Sequence, residues 1–336
     1  DWTTAMKISH KLLFATVLAI LPVLLFVMPS ALAANAANVY VDGHLMVDKT
    51  AYDLPSGGTA YYDVAAGILT LNNAQIYDSL YNQYLGDYLI YSDGDLTINL
   101  IGTSSMSFYG NVSTVGIYSN GNLSIGGSGS LNITLFGDQG AYLYGILCKK
   151  TFCVNSALLR VSCTSPAMVI ALTADVISME GGTGYFYAKS TGDYQAFGAT
   201  LSSITKDTKL IYTGGNFSYI SNNTDGGSDY YALYYTWIND PVCSITNGAV
   251  YVSEYSDGSS ESLWINTAES GKLAGNYNSA SDFHYVRFEP YITTETKAAI
   301  PQTGDSARPW LWIGIAAAAV VGAAAVIVYL RKKHRG

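Results

Sequence analysis

The chain of 336 residues sets 25 Asp and Glu against 17 Lys and Arg, a formal net charge of −8, and carries 28 tyrosines. That acidic balance excludes nucleic acid as a partner, because such binding rests on cationic neutralisation of phosphates. With His44 and His284 the only histidines between the two ends, Ser-His and Cys-His nucleophile arrangements have almost no material.

In chain order, the first five residues precede Met6 and read as lying upstream of the translation start. A secretory signal peptide is expected over residues 1–33. Lys7 and Lys11 form its basic region, 12–28 its apolar stretch, and Ala31-Leu32-Ala33 its small-residue cleavage site, with cleavage after Ala36 as the second choice. Residues 34–66 carry short alternating runs, Val39-Tyr40-Val41 and Ala60-Tyr61-Tyr62, around Pro55-Ser56-Gly57-Gly58. They read as a cap, since the end of a stacked-coil fold is an unpaired sheet edge that needs cover.

A repeat follows. Asp93-Gly94-Asp95-Leu96-Thr97-Ile98-Asn99 reads as a turn feeding an alternating strand. Copies begin at Gly67 (Gly67-Ile68-Leu69-Thr70-Leu71-Asn72) and at Gly121 (Gly121-Asn122-Leu123-Ser124-Ile125), each 27 residues from Gly94. The tetrads Ile90-Tyr91-Ser92-Asp93 and Ile117-Tyr118-Ser119-Asn120 add a second strand to each unit, and Met106 with Phe108, then Leu131, Ile133 and Leu135, add a third. Three short strands cannot bury their own apolar face, so the units must stack. The expected fold is therefore all-β, a parallel β-helix over 67–229, with Leu96, Ile98, Leu123 and Ile125 sharing one lumen. An antiparallel sandwich also has short strands and Gly turns, but gives no reason for a fixed interval. Later coils run through Ile146, Phe152, Val154, Leu159 and Val161, then Val169, Ile177 and Met179. Tyr185 and Tyr187 are placed at apolar positions, because Met179 to Tyr185 repeats the interval from Ile125 to Leu131. From about Tyr230 the period is lost, and 230–292 reads as a C-terminal cap or a small β module.

Residues 293–309 read as a linker bearing Ile300, Pro301, Gln302, Thr303 and Gly304. An apolar run over 310–330 follows, long enough for a membrane-spanning helix, and then a basic tail at 331–336 that stays cytoplasmic. This ending resembles the cell-wall sorting signal of Gram-positive bacteria, with Ile300 where that motif usually has Leu. The resemblance implies that a sortase cleaves between Thr303 and Gly304 and joins Thr303 to peptidoglycan, so that the protein resides in the membrane only before sorting and on the cell surface afterwards. The segment 34–303 excludes only Asp1 and Asp305 among the acids and keeps ten Lys and Arg, for a net charge near −13.

No catalytic set emerges: Asp93, Asp95 and Arg160 are candidates by type, but nothing marks them as convergent. Asp93 and Asp95, alternating beside Gly94, and Asp225 and Asp229, in a Gly-rich loop, offer the hard oxygen ligands that calcium takes. Tyr91, Tyr118, Tyr109 and Tyr142 lie beside Gly or polar residues. A tyrosine in the open offers a sugar ring a flat apolar face with a polar rim. Cys148, Cys153 and Cys163 fall on strand positions and read as unbridged core residues.

The run from Ile90 to Thr103, with Gly67 to Ala74 before it, is similar to the β-helical "carbohydrate-binding domain-containing" surface proteins of clostridial Firmicutes. The resemblance covers about 67–190. It implies a right-handed β-helix and binding of acidic, pectin-like polysaccharide with bound calcium. It carries over no ligand residue, and the competing functions are a polysaccharide lyase or hydrolase and a structural spacer.

Overall fold

The computed structural model describes residues 37–77, 79–82, 86–201, 208–224, 230–235, 242–246, 248–266 and 283–290; the expected signal segment, sorting motif, membrane helix and basic tail lie outside the described residues. Regular structure among these residues is all β. β1 (Val39–Val41), β2 (His44–Leu45), β3 (Ala51–Asp53) and β4 (Thr59–Asp63) come first, then β5 (Ile68–Asn72), β6 (Gln75–Ile76), β7 (Leu80–Asn82) and β8 (Gly86–Ser92).

Five coils of three strands follow. They are β9 (Leu96–Ile101), β10 (Thr103–Gly110) and β11 (Thr114–Ser119); β12 (Leu123–Gly127), β13 (Ser130–Gly137) and β14 (Leu143–Cys148); β15 (Thr151–Val154), β16 (Leu158–Ser165) and β17 (Val169–Ala174); β18 (Val176–Met179), β19 (Thr183–Ser190) and β20 (Ala196–Leu201); and β21 (Lys209–Tyr212), β22 (Asn216–Asn223) and β23 (Tyr230–Tyr235). β24 (Val242–Ile245), β25 (Gly248–Ser253), β26 (Ser262–Asn266) and β27 (Tyr285–Pro290) complete the strands.

Each strand pairs in parallel with its equivalent one coil away, which builds three sheets along a β-solenoid of about five turns. Sheet 1 runs β8-β11-β14-β17-β20-β23, sheet 2 runs β5-β9-β12-β15-β18-β21-β24, and sheet 3 runs β6-β10-β13-β16-β19-β22. Alternation turns every second side chain inward, so like residues stack. Leu96, Leu123, Phe152 and Ile177 form one such row, and Ile98, Ile125, Val154 and Met179 another, all buried in a single core. Each fully buried Leu, Ile or Phe contributes about 1.5–3 kcal/mol of transfer free energy.

The tetrad seen twice in the sequence is a corner device. Ile90 and Ile117 point inward, Tyr91 and Tyr118 outward, and Ser92 and Ser119 inward again at the strand ends. The Ser92 and Ser119 hydroxyls each donate to the Gly94 carbonyl at 3.0 Å, which satisfies a backbone group that the corner leaves unpaired. Cys148 takes the place of Ser119 in the next coil, its thiol donating to Gly121 O at 3.2 Å.

Antiparallel strands close the stack. β1 pairs with β8 and β4 with β5 at one end; at the other, β27 pairs with β22 and with β25. These turned strands occupy edges that would otherwise template further pairing. β23 and β24 still pair in parallel with β20 and β21, so the coil continues beyond Tyr230. Its period is hidden there because the interval lengthens: from Ile90 the stacked residues are Ile117, Ile146, Leu172, Ala199 and Leu233, at steps of 27, 29, 26, 27 and 34.

Two register expectations are corrected. The Gly67 copy does not align Leu69 with Leu96: Leu69 pairs with Ile98 and Leu71 with Leu100. A slip of two residues keeps the same face inward, so the sequence pattern cannot detect it. Tyr185 and Tyr187 are not apolar positions either. The partner of inward Leu159 is Gly184, and the inward residues of β19 are Gly184, Phe186 and Ala188, which leaves both tyrosines on the outside. The corner after Met179 is one residue shorter than the one after Ile125, and a slip of one flips the face. Gly184 is required there, since a Cβ would lie 2.5 Å from the Phe217 ring in the next coil.

Candidate functional site: an interrupted aromatic ladder

On sheet 1 each strand holds two residues between its outward side chains, which therefore fall three apart, and from β11 onward the first of the two is glycine or alanine. At Gly145 a Cβ would sit 2.2 Å from Val161 Cγ1 and 2.5 Å from the Ala171 carbonyl oxygen, so that position must stay bare. Two outward rows result. One reads Tyr88, Val115, Tyr144, Ile170, Phe197, Tyr231; the other reads Tyr91, Tyr118, Leu147, Thr173, Thr200, Tyr234.

Aromatic rings fill both ends of these rows. Tyr91 and Tyr118 stack at 5.2 Å with an interplanar angle of 6°, and Tyr88 meets both edge-on at 5.3 Å. At the far end Tyr231 and Tyr234 stack at 5.4 Å, and Phe197 packs on Tyr234 at 4.9 Å. Burial raises the phenols of Tyr88, Tyr91, Tyr118 and Tyr144 above the ordinary tyrosine range, so all four remain neutral donors.

Between these clusters the second row drops to threonine. Thr173 and Thr200 hydrogen-bond to each other at 2.8 Å and leave two rungs of the ladder vacant. A groove of about 350 Å³ opens there, in the size range of small-ligand sites. Leu147 and Tyr234 stand at its ends, Ile170 and Phe197 on one side, and Lys149 and Asp175 offer its charged groups. Burial raises the Asp175 carboxyl above the usual carboxylate range, and Lys149 pulls it partly back. Cys148 also lines the groove, its thiol pushed up to about 11 by burial, so it is neutral at physiological pH. Apolar walls, hydroxyls on the floor and one charge of each sign suit an uncharged or weakly charged polyhydroxylated ring.

The four tyrosines singled out from sequence do not converge. Tyr118 is only 7 % exposed, with Tyr91 stacked on one ring face and Tyr88 packed edge-on, so the Tyr91–Tyr118 pair is a packed end of the ladder rather than an open platform. Tyr142 is 43 % exposed at the entry to β14, where its backbone N–H donates to the Ser113 hydroxyl. Tyr109 lies on sheet 3, 74 % exposed, and stacks on Phe136 at 4.9 Å and 4°. The groove residues themselves were missed. Their signal is the spacing of three in Ile170 to Thr173 and Phe197 to Thr200, which repeats that of Tyr88 to Tyr91.

Two of the acidic candidates hold neighbouring chain. Asp93 accepts from the Asn38 N–H at 2.7 Å and from its side-chain amide at 2.6 Å, and Asp95 accepts likewise from Asn122 at 2.7 and 3.1 Å. Each carboxylate thus clamps a neighbouring turn of chain. Asp225 and Asp229 lie outside the described residues, and among the described residues no group of three His, Cys, Asp or Glu could hold a metal ion. Arg160 sits on sheet 3, away from Asp93 and Asp95 at the corner between sheets 1 and 2, so these three form no catalytic set.

Cys148, Cys153 and Cys163 are free thiols. Cys148 and Cys163 are buried, while Cys153 faces outward from sheet 2 beside Glu180. Comparison with known protein families, curated proteins and solved structures finds no significant match to the chain.

Proposed function

We propose that the protein is a cell-surface carbohydrate-binding adhesin, attached to peptidoglycan by a sortase acting between Thr303 and Gly304, and that its ligand is an acidic, pectin-like polysaccharide. The observation that carries the binding reading is the groove floored by Thr173 and Thr200 between two aromatic clusters. A pyranose ring is about as thick as the coil spacing of about 4.8 Å, so sugar rings take the place of the two missing rungs. They stack between Leu147 and Tyr234 while the threonine hydroxyls, Lys149 and Asp175 meet their hydroxyls. Calcium belongs to this reading only through the acidic loop that holds Asp225 and Asp229. The sorting reading rests on the order of pentapeptide, apolar run and basic tail in the sequence.

The test is retention of the full-length protein on a panel of immobilised plant and host glycans, with reducing-sugar release measured in parallel. Retention without release supports the adhesin. Release identifies a polysaccharide-degrading enzyme, and the absence of both identifies a spacer. Thr200→Trp fills the groove with an aromatic ring of the kind Tyr234 carries one coil on, and is expected to weaken retention on neutral glycans while leaving the β-sheet circular dichroism unchanged.

A further inference from the structure

The outer face of sheet 3 differs in kind from the groove. The outward residues of β10, β13, β16, β19 and β22 follow from the register, and among these described strands none is aspartate or glutamate, in a chain whose acids outnumber its bases. The face carries two cations instead, Arg160 and Lys189, and neither enters an ion pair among the described residues. Acids return only past β22, where Glu261 and Glu289 are taken up by Arg287.

Two aromatic pairs stand on the same face. Tyr109 and Phe136, stacked and 74 % and 41 % exposed, occupy the first two coils. Tyr185 and Tyr187, parallel within 10°, lie on β19 with Lys189 next along the strand and Arg160 as the register partner of Tyr185. The nearest members of the two pairs are two coils and one outward position apart, about 12 Å. Serine and threonine fill the space between them, as at Thr134, Ser162 and Thr164.

We infer that this face is a second glycan-binding surface, distinct from the groove, and that it selects a polymer of pyranose rings bearing carboxylates. Ring faces settle on the two aromatic pairs, carboxylates meet Arg160 and Lys189, and the hydroxyl carpet accepts and donates in between. An anionic polymer lacking rings leaves the aromatic pairs unused. A neutral polymer leaves the cations unused. The inference rests on the carbohydrate-binding reading, but it makes a different surface responsible for acidity: the groove is lined by one cation, Lys149, and one acid, Asp175, and has no cationic excess to offer.

The experiment measures affinity of the full-length protein for polygalacturonate, for its methyl ester and for dextran, as a function of salt. In Arg160→Ser/Lys189→Ser, residues of the kind that fill neighbouring positions on the face, polygalacturonate affinity is expected to fall about tenfold and its salt dependence to flatten, with affinity for the methyl ester unchanged. Tyr109→Ala is expected to weaken both polymers a few-fold. Unchanged polygalacturonate affinity and salt dependence in the double variant overturn the inference while leaving the groove reading intact. If the parent binds none of the three polymers, both readings fall. Loss of dextran affinity in Thr200→Trp, with polygalacturonate affinity and its salt dependence retained, supports two separate surfaces.

Discussion

Gly184 shows how one residue sets a coil. It faces the core where its equivalents are Leu131 and Leu159, and the rings of Phe186 and Phe217 take the volume a side chain would need. Gly184→Ala should therefore destabilise by about 1–3 kcal/mol in urea unfolding, as overpacked cores do. Adding Phe217→Leu, which removes the ring 2.5 Å from the new Cβ, should recover part of that loss; a parent-like midpoint for the single variant would show that β19 is not phased this way. The opposite error of filling is Leu123→Asp, which buries an unpaired carboxylate in a lumen lined by Leu96 and Phe152 and should unfold several coils. The inward rows were legible at Leu96, Ile98, Leu123 and Ile125 because their alternation is unbroken. Tyr185 was misplaced because tyrosine suits a strand on either face, and glycine announces no side.

At the scale of strands and corners, the legible part was again the repeated part. Ile-Tyr-Ser at 90–92 and 117–119 encodes an inward, an outward and a corner residue, and all three roles were written twice. The groove was not legible, because it consists of what the ladder lacks: Thr173 and Thr200 are ordinary strand residues until they are seen to lie in a row between Leu147 and Tyr234. Asp175, raised by burial, supplies a test of that site's solvent-poor setting. A carboxyl whose folded pKa lies above its unfolded value adds stability below the unfolded value and loses it as pH rises through the folded one. Asp175→Asn should accordingly be more stable than the parent at pH 7, with the gap closing as pH falls toward the ordinary carboxylate range, in thermal melts down to that range. Asp95 gives the contrasting case. Its carboxylate accepts from the Asn122 backbone and side-chain amides, so Asp95→Ala should cost about 1–3 kcal/mol whether or not EDTA is present. A cost that vanishes in EDTA would make Asp95 a calcium ligand.

For the molecule as a whole, a parallel solenoid presents long faces along its axis, and the antiparallel strands β1, β4 and β27 close off the edges they pair with. The proposed sorting would display such a body at the end of a tether. The sorting reading and a plain membrane anchor require different covalent states of one chain. For a transpeptidase, the Thr303 carbonyl must be reachable. The apolar run at 310–330 need only delay the chain in the bilayer while the basic residues at 331–335 restrain it from behind. Mature protein should then be released from cells by a peptidoglycan hydrolase and not by detergent, ending at Thr303 with wall peptide attached. Thr303→Ala should move it to the detergent-soluble membrane fraction, with 304–336 still joined. Full detergent extraction of the parent with Gly336 intact would make it a single-pass membrane protein and discard the sortase, because no transpeptidation can leave that residue on the chain.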